Sequence, residues 1–396
     1  MTPQRLAFPL LAYAFAAIMV GTTLPTPMYS LYGEQMNFSV LTTTVVYATY
    51  AGGVLFALLA FGRWSDAIGR RPVLAAGVVF ALASAVVFLL ADSVSMLLVG
   101  RVLSGLSAGV FTGTATAAVI EAAPPNWRTK AAAVATIANV GGLGAGPVVA
   151  GLLVQYAPHP LHLSFVVHIV LAALAGIAVA VVPETSQRTG SIGVQRLSVP
   201  AEVRSVFVIA GLAAFAGFAV TGLFMAVAPA FVDDVVGIDN DALAGFVAAS
   251  IFAASAVTQI GARGISPQRA VAIGCGVLVT AMAILVVALH FSSLAGLVAG
   301  GLVAGVGHGM TFSRGLAAVL ERTPAQRRAE VSSTYFVVAY VAISLPVVGE
   351  GLAAQAWGLR TAGVSFAVAV AVLAGICLVA ILAHEARESR RAAVEV

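Results

Sequence analysis

Apolar residues run almost unbroken through twelve stretches of the chain, at approximately 8–31, 40–61, 73–91, 94–119, 131–156, 163–182, 205–231, 242–261, 270–289, 293–317, 331–356 and 362–383. Most charged residues fall in the short segments between them, along with many of the prolines. Each stretch is long enough to cross roughly 30 Å of hydrocarbon as a helix rising 1.5 Å per residue. The runs do not alternate apolar with polar positions, so strands of a spanning barrel are excluded and helices are left to satisfy the backbone in lipid. The pattern predicts an all-α integral membrane protein with twelve transmembrane helices. The first stretch follows Arg5 and contains Pro25 and Pro27, which reads as a retained helix and not as a cleavable signal.

Composition strengthens this picture: 60% of the 396 residues are hydrophobic and only 9% are charged, against roughly 45–50% and 25% in soluble domains. Charge placement adds orientation. With a cytoplasmic N-terminus, the inner loops hold Arg63, Arg70, Arg71, Arg128, Lys130, Arg188, Arg196, Arg204, Arg263, Arg269, Arg322, Arg327 and Arg328, and the tail holds Arg387, Arg390 and Arg391. The outer loops hold only Arg360, beside Glu34, Asp92, Asp233, Asp234, Asp239 and Asp241. By the positive-inside rule both termini are expected in the cytoplasm. The net charge of +4 then reflects topology, and nothing points to a nucleic-acid partner. Near-absence of lysine among the twenty basic residues suggests a GC-rich bacterial genome and hence an inner (plasma) membrane. Cys275 and Cys377 fall inside apolar runs, as small hydrophobes and not as a disulfide framework.

The chain also repeats itself. Gly105, Gly109, Ala117, Ala118, Val119, Glu121, Pro124 and Arg128 recur as Gly305, Gly309, Ala317, Ala318, Val319, Glu321, Pro324 and Arg328. GPVVAG at 146–151 is echoed by LPVVGEG at 345–351, one position out of step. The expected organisation is an N-terminal six-helix bundle at 1–182, a polar central loop at 183–204 and a C-terminal six-helix bundle at 205–396, with a site between the repeats.

Three segments carry chemistry. GRWSDAIGRRP, 62–72, crowds four charges into the loop between the second and third helices, where Gly62 and Gly69 permit tight turns, Asp66 can pair with arginine or cap a helix, and Arg70 and Arg71 hold the loop at the inner surface. LLVGRVLSGLSAG, 97–109, puts Arg101 about two turns inside the fourth helix, where a cation needs a cavity or a partner unless it snorkels to the headgroups. GLGAGPVVAG, 142–151, places Gly142, Gly146, Pro147 and Gly151 in the fifth helix, suited to close packing and a kink.

These segments, with the duplicated halves, resemble the major facilitator superfamily over essentially the whole chain. Gly62, Asp66, Gly69, Arg70, Arg71 and Leu74 match its loop signature, and the resemblance implies that Asp66 and Arg70 latch the halves together in the outward-open state; a purely topogenic charge cluster is the alternative. Leu97, Arg101, Gly105 and Ala108 match its fourth-helix signature, with Ser104 where Gln is more usual, and the resemblance associates Arg101 with proton transfer. The fifth-helix segment is similar to the antiporter signature of drug/proton exchangers, with Ala150 in place of a Gly. A monomer is the family's usual state. The loop GARGISPQR, 261–269, lacks the acid of its counterpart, so any latch there is degenerate.

Coupling to protons needs a titratable group within the helices, and Glu350 is the carboxylate that qualifies. Drug exchangers often carry an acid in the first or seventh helix, and this chain has none there. Glu350 could instead pair with Arg360 or lie in water; His168 and His308 are the other candidates. Weakly polar and aromatic residues suited to amphipathic solutes are Thr22, Thr23 and Tyr29 in the first helix, Tyr47 and Tyr50 in the second, Asn139 in the fifth, Phe218 in the seventh, Gln259 in the eighth, and Tyr335 and Tyr340 in the eleventh. There is no Walker-type glycine loop, HExxH or zinc spacing, so neither catalysis nor a cofactor nor a metal is expected, and energy must come from a gradient. The expected partners are the lipid bilayer, protons and a small-molecule substrate. The expected function is proton-driven export of small amphipathic molecules or drugs. The rivals are a proton-coupled uptake symporter for sugars or organic acids and, from another class, a non-transporting membrane sensor or scaffold.

Overall fold

A computed structural model describes residues 3–394. Arg5, which bounds the first stretch, and the tail arginines Arg387, Arg390 and Arg391, assigned above to the inner side, have side chains outside the described residues. Among the described residues, twelve helices are long and apolar enough to cross a membrane: α1 Leu6–Met36, α2 Val40–Phe61, α3 Arg70–Leu89, α4 Val94–Glu121, α5 Ala131–Tyr156, α6 Pro160–Val181, α7 Ala201–Ala226, α8 Asp241–Gly264, α9 Pro267–His290, α10 Leu294–Glu321, α11 Ala325–Trp357 and α12 Leu359–Ala383. No strand occurs among the described residues.

Prolines set the irregularities. In α1 the helix breaks after Thr23, tightens to a 3₁₀ turn at Thr26–Met28 around Pro25 and Pro27, and resumes at Tyr29. In α5 a π turn at Ile137–Gly141 precedes Pro147. Pro147 has no N–H to give the carbonyl of Leu143, and the Thr23 hydroxyl takes it instead at 2.7 Å, tying α5 to α1. The stretch 62–72 is more ordered than a simple loop. Trp64–Ile68 forms a short helix, Gly69 turns at φ +111°, and Arg70 and Arg71 are the first residues of α3. Gly69 is required by its positive-φ backbone, and a Cβ there would also crowd the Glu184 carboxylate.

The internal repeat shows up as repeated packing. Gly105 and Gly109 of α4 press against the backbone of α2 at Tyr50–Val54, and Gly305 and Gly309 of α10 press against α8 at Ile251 and Ser255 in the same way. One apolar core is built by α1 to α6 with Tyr340 of α11 packed on it; another joins residues of both halves, among them Tyr29, Tyr47 and Phe88 with Val220, Phe224 and Phe231.

The halves meet tightly at the end carrying the loop acids. There Gly151 of α5 touches the Asp241 carbonyl of α8, Gly245 of α8 touches the Pro147 carbonyl, and the Asp241 N–H donates to Gln155 Oε1 at 2.8 Å. The matching seam pairs α11 with α2: Gly351 lies on Leu41 and Thr44, and Gln355 donates to Ser39 Oγ at 3.0 Å. Gly151 and Gly351 thus occupy equivalent seams. The acidic end is closed and the arginine-rich end is not.

Candidate functional site

At the arginine-rich end, α2, α4, α11 and the central linker enclose a cavity of about 720 Å³. Its wall includes Phe61, Gly113, Thr114, Ser333 and Phe336, with Arg63, Asp66, Arg196 and Glu330 at the charged rim. The α2 and α11 positions that line it recur at three- and four-residue spacing, so each presents one face to the opening. Tyr340 lies one turn beyond Phe336 on that face of α11, and Tyr50 and Tyr47 continue the α2 face beyond Ala57.

The linker is seated in the mouth of this cavity. Arg63 donates to Ser191 Oγ at 2.6 Å, the Gly190 N–H donates to the Asp66 carbonyl at 3.0 Å, and the Gln195 N–H donates to the Leu59 carbonyl at 2.8 Å. Its far end is fastened to α11, where the Ser198 N–H donates to Thr334 Oγ1 and Arg327 donates to Ser198 Oγ.

Beneath it the latch residues form a closed clamp on their own half. Arg70 pairs with Asp66 at 2.7 Å and with Glu121 at 2.9 Å, and also donates to Ser65 Oγ. Arg71 donates to the carbonyl of Val179. The start of α3 is capped from the linker: the Glu184 carboxylate accepts from the N–H groups of Arg70, Arg71, Thr185 and Ser186. Partial burial alone would raise the pKa of Glu184, but these four donors outweigh it and hold the carboxyl below its ordinary value. No ion pair among the described residues carries Asp66 or Arg70 across to the second half.

Arg101 is fully buried, so it does not snorkel. Its guanidinium donates to the Thr22 carbonyl at 2.7 Å and to the Tyr29 hydroxyl, and lies 5.2–6.0 Å from the ring centres of Tyr29, Tyr47, Tyr50 and Phe88. No acid pairs with it among the described residues; the Tyr29 hydroxyl and the neighbouring rings of Tyr47, Tyr50 and Phe88 surround the cation instead, and a cation beside aromatic rings gains about 2 kcal/mol or more where water is excluded. The break in α1 makes this possible by freeing carbonyls near Thr22 and turning Tyr29 inward. His168 of α6 packs on Gly21, the neighbour of Thr22, so Arg101 and His168 flank one turn of α1.

In the second half, Gln259 donates to Ser255 Oγ at 3.1 Å, and Ser255 lies 2.8 Å from His308 Nδ1. Phe218 meets the His308 ring edge-on at 4.5 Å. Tyr335 is fully buried, and its hydroxyl is held by the carbonyls of Ala210 and Thr311. Asn139 is half-buried in the α5 π turn, a kind of turn that often marks functional positions. Thr22 and Thr23 spend their hydroxyls on α1 and α5 carbonyls. The structure therefore gathers Tyr29, Tyr47 and Tyr50 around Arg101, and Phe218 and Gln259 around His308. None of the ten substrate candidates forms the cavity wall itself.

Of the antiporter-type residues, Gly142 lies on Ala16 and Met19 of α1, Gly146 on Val20 and Thr23 of α1, and Gly151 on α8. Glu350 is buried with both carboxylate oxygens unpartnered. It does not pair with Arg360, which donates to Ser292 Oγ at 2.7 Å, and it is not on the wall of the large cavity. It lines a separate pocket between α7, α11 and α12.

Sequence reasoning missed Phe88, Ser255, Glu184 and the linker's place in the cavity. Glu121, the second partner of Arg70, was visible in the repeat but was not assigned to the clamp. A carboxylate directly after α6 was the one available hint for Glu184.

Two helical halves around a cavity open at one end have the architecture of a membrane transporter. The chain belongs to the Major Facilitator Superfamily, whose family model matches residues 10–346. Among solved structures, a bacterial homologue of the human lysosomal transporter Spinster, in its inward-facing and unoccupied conformation, superposes with a TM-score of 0.75 at 15% identity, covering 96% of this chain and 97% of that one. The human organic anion transporter MFSD10 (TETRAN) is 19% identical with a TM-score of 0.68, over 96% of this chain and 100% of that one. A mutant of the peptide transporter POT in complex with sulfate gives 0.75 at 14% identity, over 96% and 98%. No curated protein matches the chain.

Proposed function

We propose that the protein exports small amphipathic organic molecules, drug-like compounds included, in exchange for protons by alternating access. The arginine-rich end is cytoplasmic in this reading and the acidic end is outside a bacterial inner membrane. The observation that carries it is the cavity of about 720 Å³ open at the arginine-rich end while α5–α8 and α2–α11 close the other. Phe61 and Phe336 in its wall, with hydroxyls of Thr114 and Ser333, suit a solute with an apolar body and a few polar groups.

The antiporter-type glycines support exchange because Gly142 and Gly146 pack α5 on α1 within one half, while Gly151 forms the seam of α5 with α8, which must part when the acidic end opens. Glu350 is assigned as the proton carrier. An isolated carboxylate buried as an anion costs several kcal/mol, so its proton occupancy and the conformation of α11 are linked. Arg101 holds α1, α2 and α4 around one buried charge and sets the field there; His168 and His308 are secondary candidates.

The test uses protein in liposomes that hold a pH-sensitive dye under an imposed pH gradient, with lipophilic cations, neutral antibiotics, sugars and organic acids added in turn. Export predicts that one of these collapses the gradient in the direction of exchange, and that Glu350→Gln abolishes the response. Co-directional proton movement replaces export by uptake. A wild-type response from Glu350→Gln moves the coupling to His168 or His308.

A further inference from the structure

The geometry points to a second binding site, on the membrane-facing flank between α11 and α12, that takes a lipophilic amine from the bilayer. The pocket has a volume of about 390 Å³ and lies apart from the large cavity, sharing no lining residue with it. Its walls are Phe215 and Ala219 of α7, Pro346 and Ala353 of α11, and Phe366 and Val370 of α12. Gly349, Trp357, Ser365 and Ala369, also in its lining, are exposed on the perimeter of the bundle, so the mouth faces sideways, where lipid surrounds a membrane-spanning bundle.

Glu350 is the only ionisable residue among those lining it, and its two oxygens are buried with no donor. Neither α7 nor α12 presents a charged group to the pocket, and Arg360, the charged residue nearest along α12, is turned away to Ser292. A buried acceptor with no donor, in an otherwise apolar pocket, fits a ligand whose single cationic N–H group meets Glu350 and whose hydrocarbon or aromatic body fills the rest. Anionic amphiphiles are repelled by the lone carboxylate, and a neutral alcohol gains only one weaker hydrogen bond. Glu350 lies seven residues before the end of α11, about 10 Å along the helix, within reach of a molecule resident in the adjacent leaflet. A volume near 390 Å³ holds a small drug-sized molecule.

This site shares Glu350 with the proton-coupling reading, so it is tested at equilibrium without a gradient, where failure of either leaves the other standing. The probes are a primary alkylamine bearing a diazirine and the alcohol of the same chain, added to protein in phosphatidylcholine nanodiscs at pH 8, with protein-free nanodiscs giving the lipid background. The amine should bind about tenfold or more tighter than the alcohol, and Glu350→Gln should remove that preference. Photolysis should place its cross-links within 346–357 and 362–373. Gly349→Leu, which grows into open space at the mouth and leaves Glu350 intact, should block the amine while the protein remains folded. Equal binding of amine and alcohol, an unchanged preference in Glu350→Gln, or cross-links confined to Phe61 and Phe336 of the large cavity would overturn the inference.

Discussion

The seam between α5 and α8 makes Gly151→Ala a quantitative probe of alternating access. A Cβ at Gly151 would stand 2.5 Å from the Asp241 carbonyl oxygen and 3.2 Å from the Ala242 Cα, both backbone atoms that cannot rotate aside. Ordinary contact begins near 3.4 Å, so the two helices must part by roughly 1 Å at the acidic end. Overpacking of this kind costs about 1–3 kcal/mol. The contact joins the two halves and exists only while that end is closed, so the cost falls on the closed state alone. The equilibrium should shift about 5- to 150-fold toward conformations open at the acidic end. Spin labels at Tyr156 and Asp239, both exposed beside this seam, report the separation by double electron–electron resonance. The distance distribution should gain or enlarge a long component in Gly151→Ala and not in Gly113→Ala, where the added methyl meets nothing within 4 Å. An unchanged distribution in Gly151→Ala, or an equal change in both, refutes the argument.

Further outcomes follow from the polar contacts. Thr23→Val leaves the Leu143 carbonyl, already without its helical partner because of Pro147, with no hydroxyl donor, and should lower stability by about 1 kcal/mol in thermal unfolding. Arg101→Lys keeps the charge but loses the planar group that spans Thr22, Tyr29 and four rings, so it should unfold at lower temperature than wild type and fail to restore transport lost in Arg101→Gln. The folded-state pKa of Glu184 is depressed, so its capping of α3 is complete above the ordinary carboxylate pKa and is lost as the pH falls through the lower folded value. Hydrogen exchange across 184–195 should therefore stay slow from neutral to mildly acid pH and quicken only in strong acid, whereas Glu184→Gln should exchange faster at neutral pH.

Much of the fold was legible because lipid is a simple solvent. A run of apolar residues long enough to span the bilayer has one way to satisfy its backbone, so twelve helices and the arginine-rich side of the bundle could be read from composition alone. The duplication at Gly105 and Gly305 was legible for the same kind of reason, since close backbone approach leaves glycine at fixed positions, and the structure shows both pressed on their partner helices. Pro147 announced a disturbance in α5, although its rescue by Thr23 did not. Partners across the bundle could not be read. That Arg101 is surrounded by aromatic residues and not by an acid depends on how α1, α2 and α3 converge, over sequence separations that no local pattern records. That Glu350 faces a lateral pocket, while Gly351 beside it faces α2, depends on the rotation of α11 about its axis. Hydrophobicity determines that a helix crosses the membrane, because transfer to lipid depends on composition. Rotation and partners are decided by side-chain packing between helices, which exists only once the bundle has assembled.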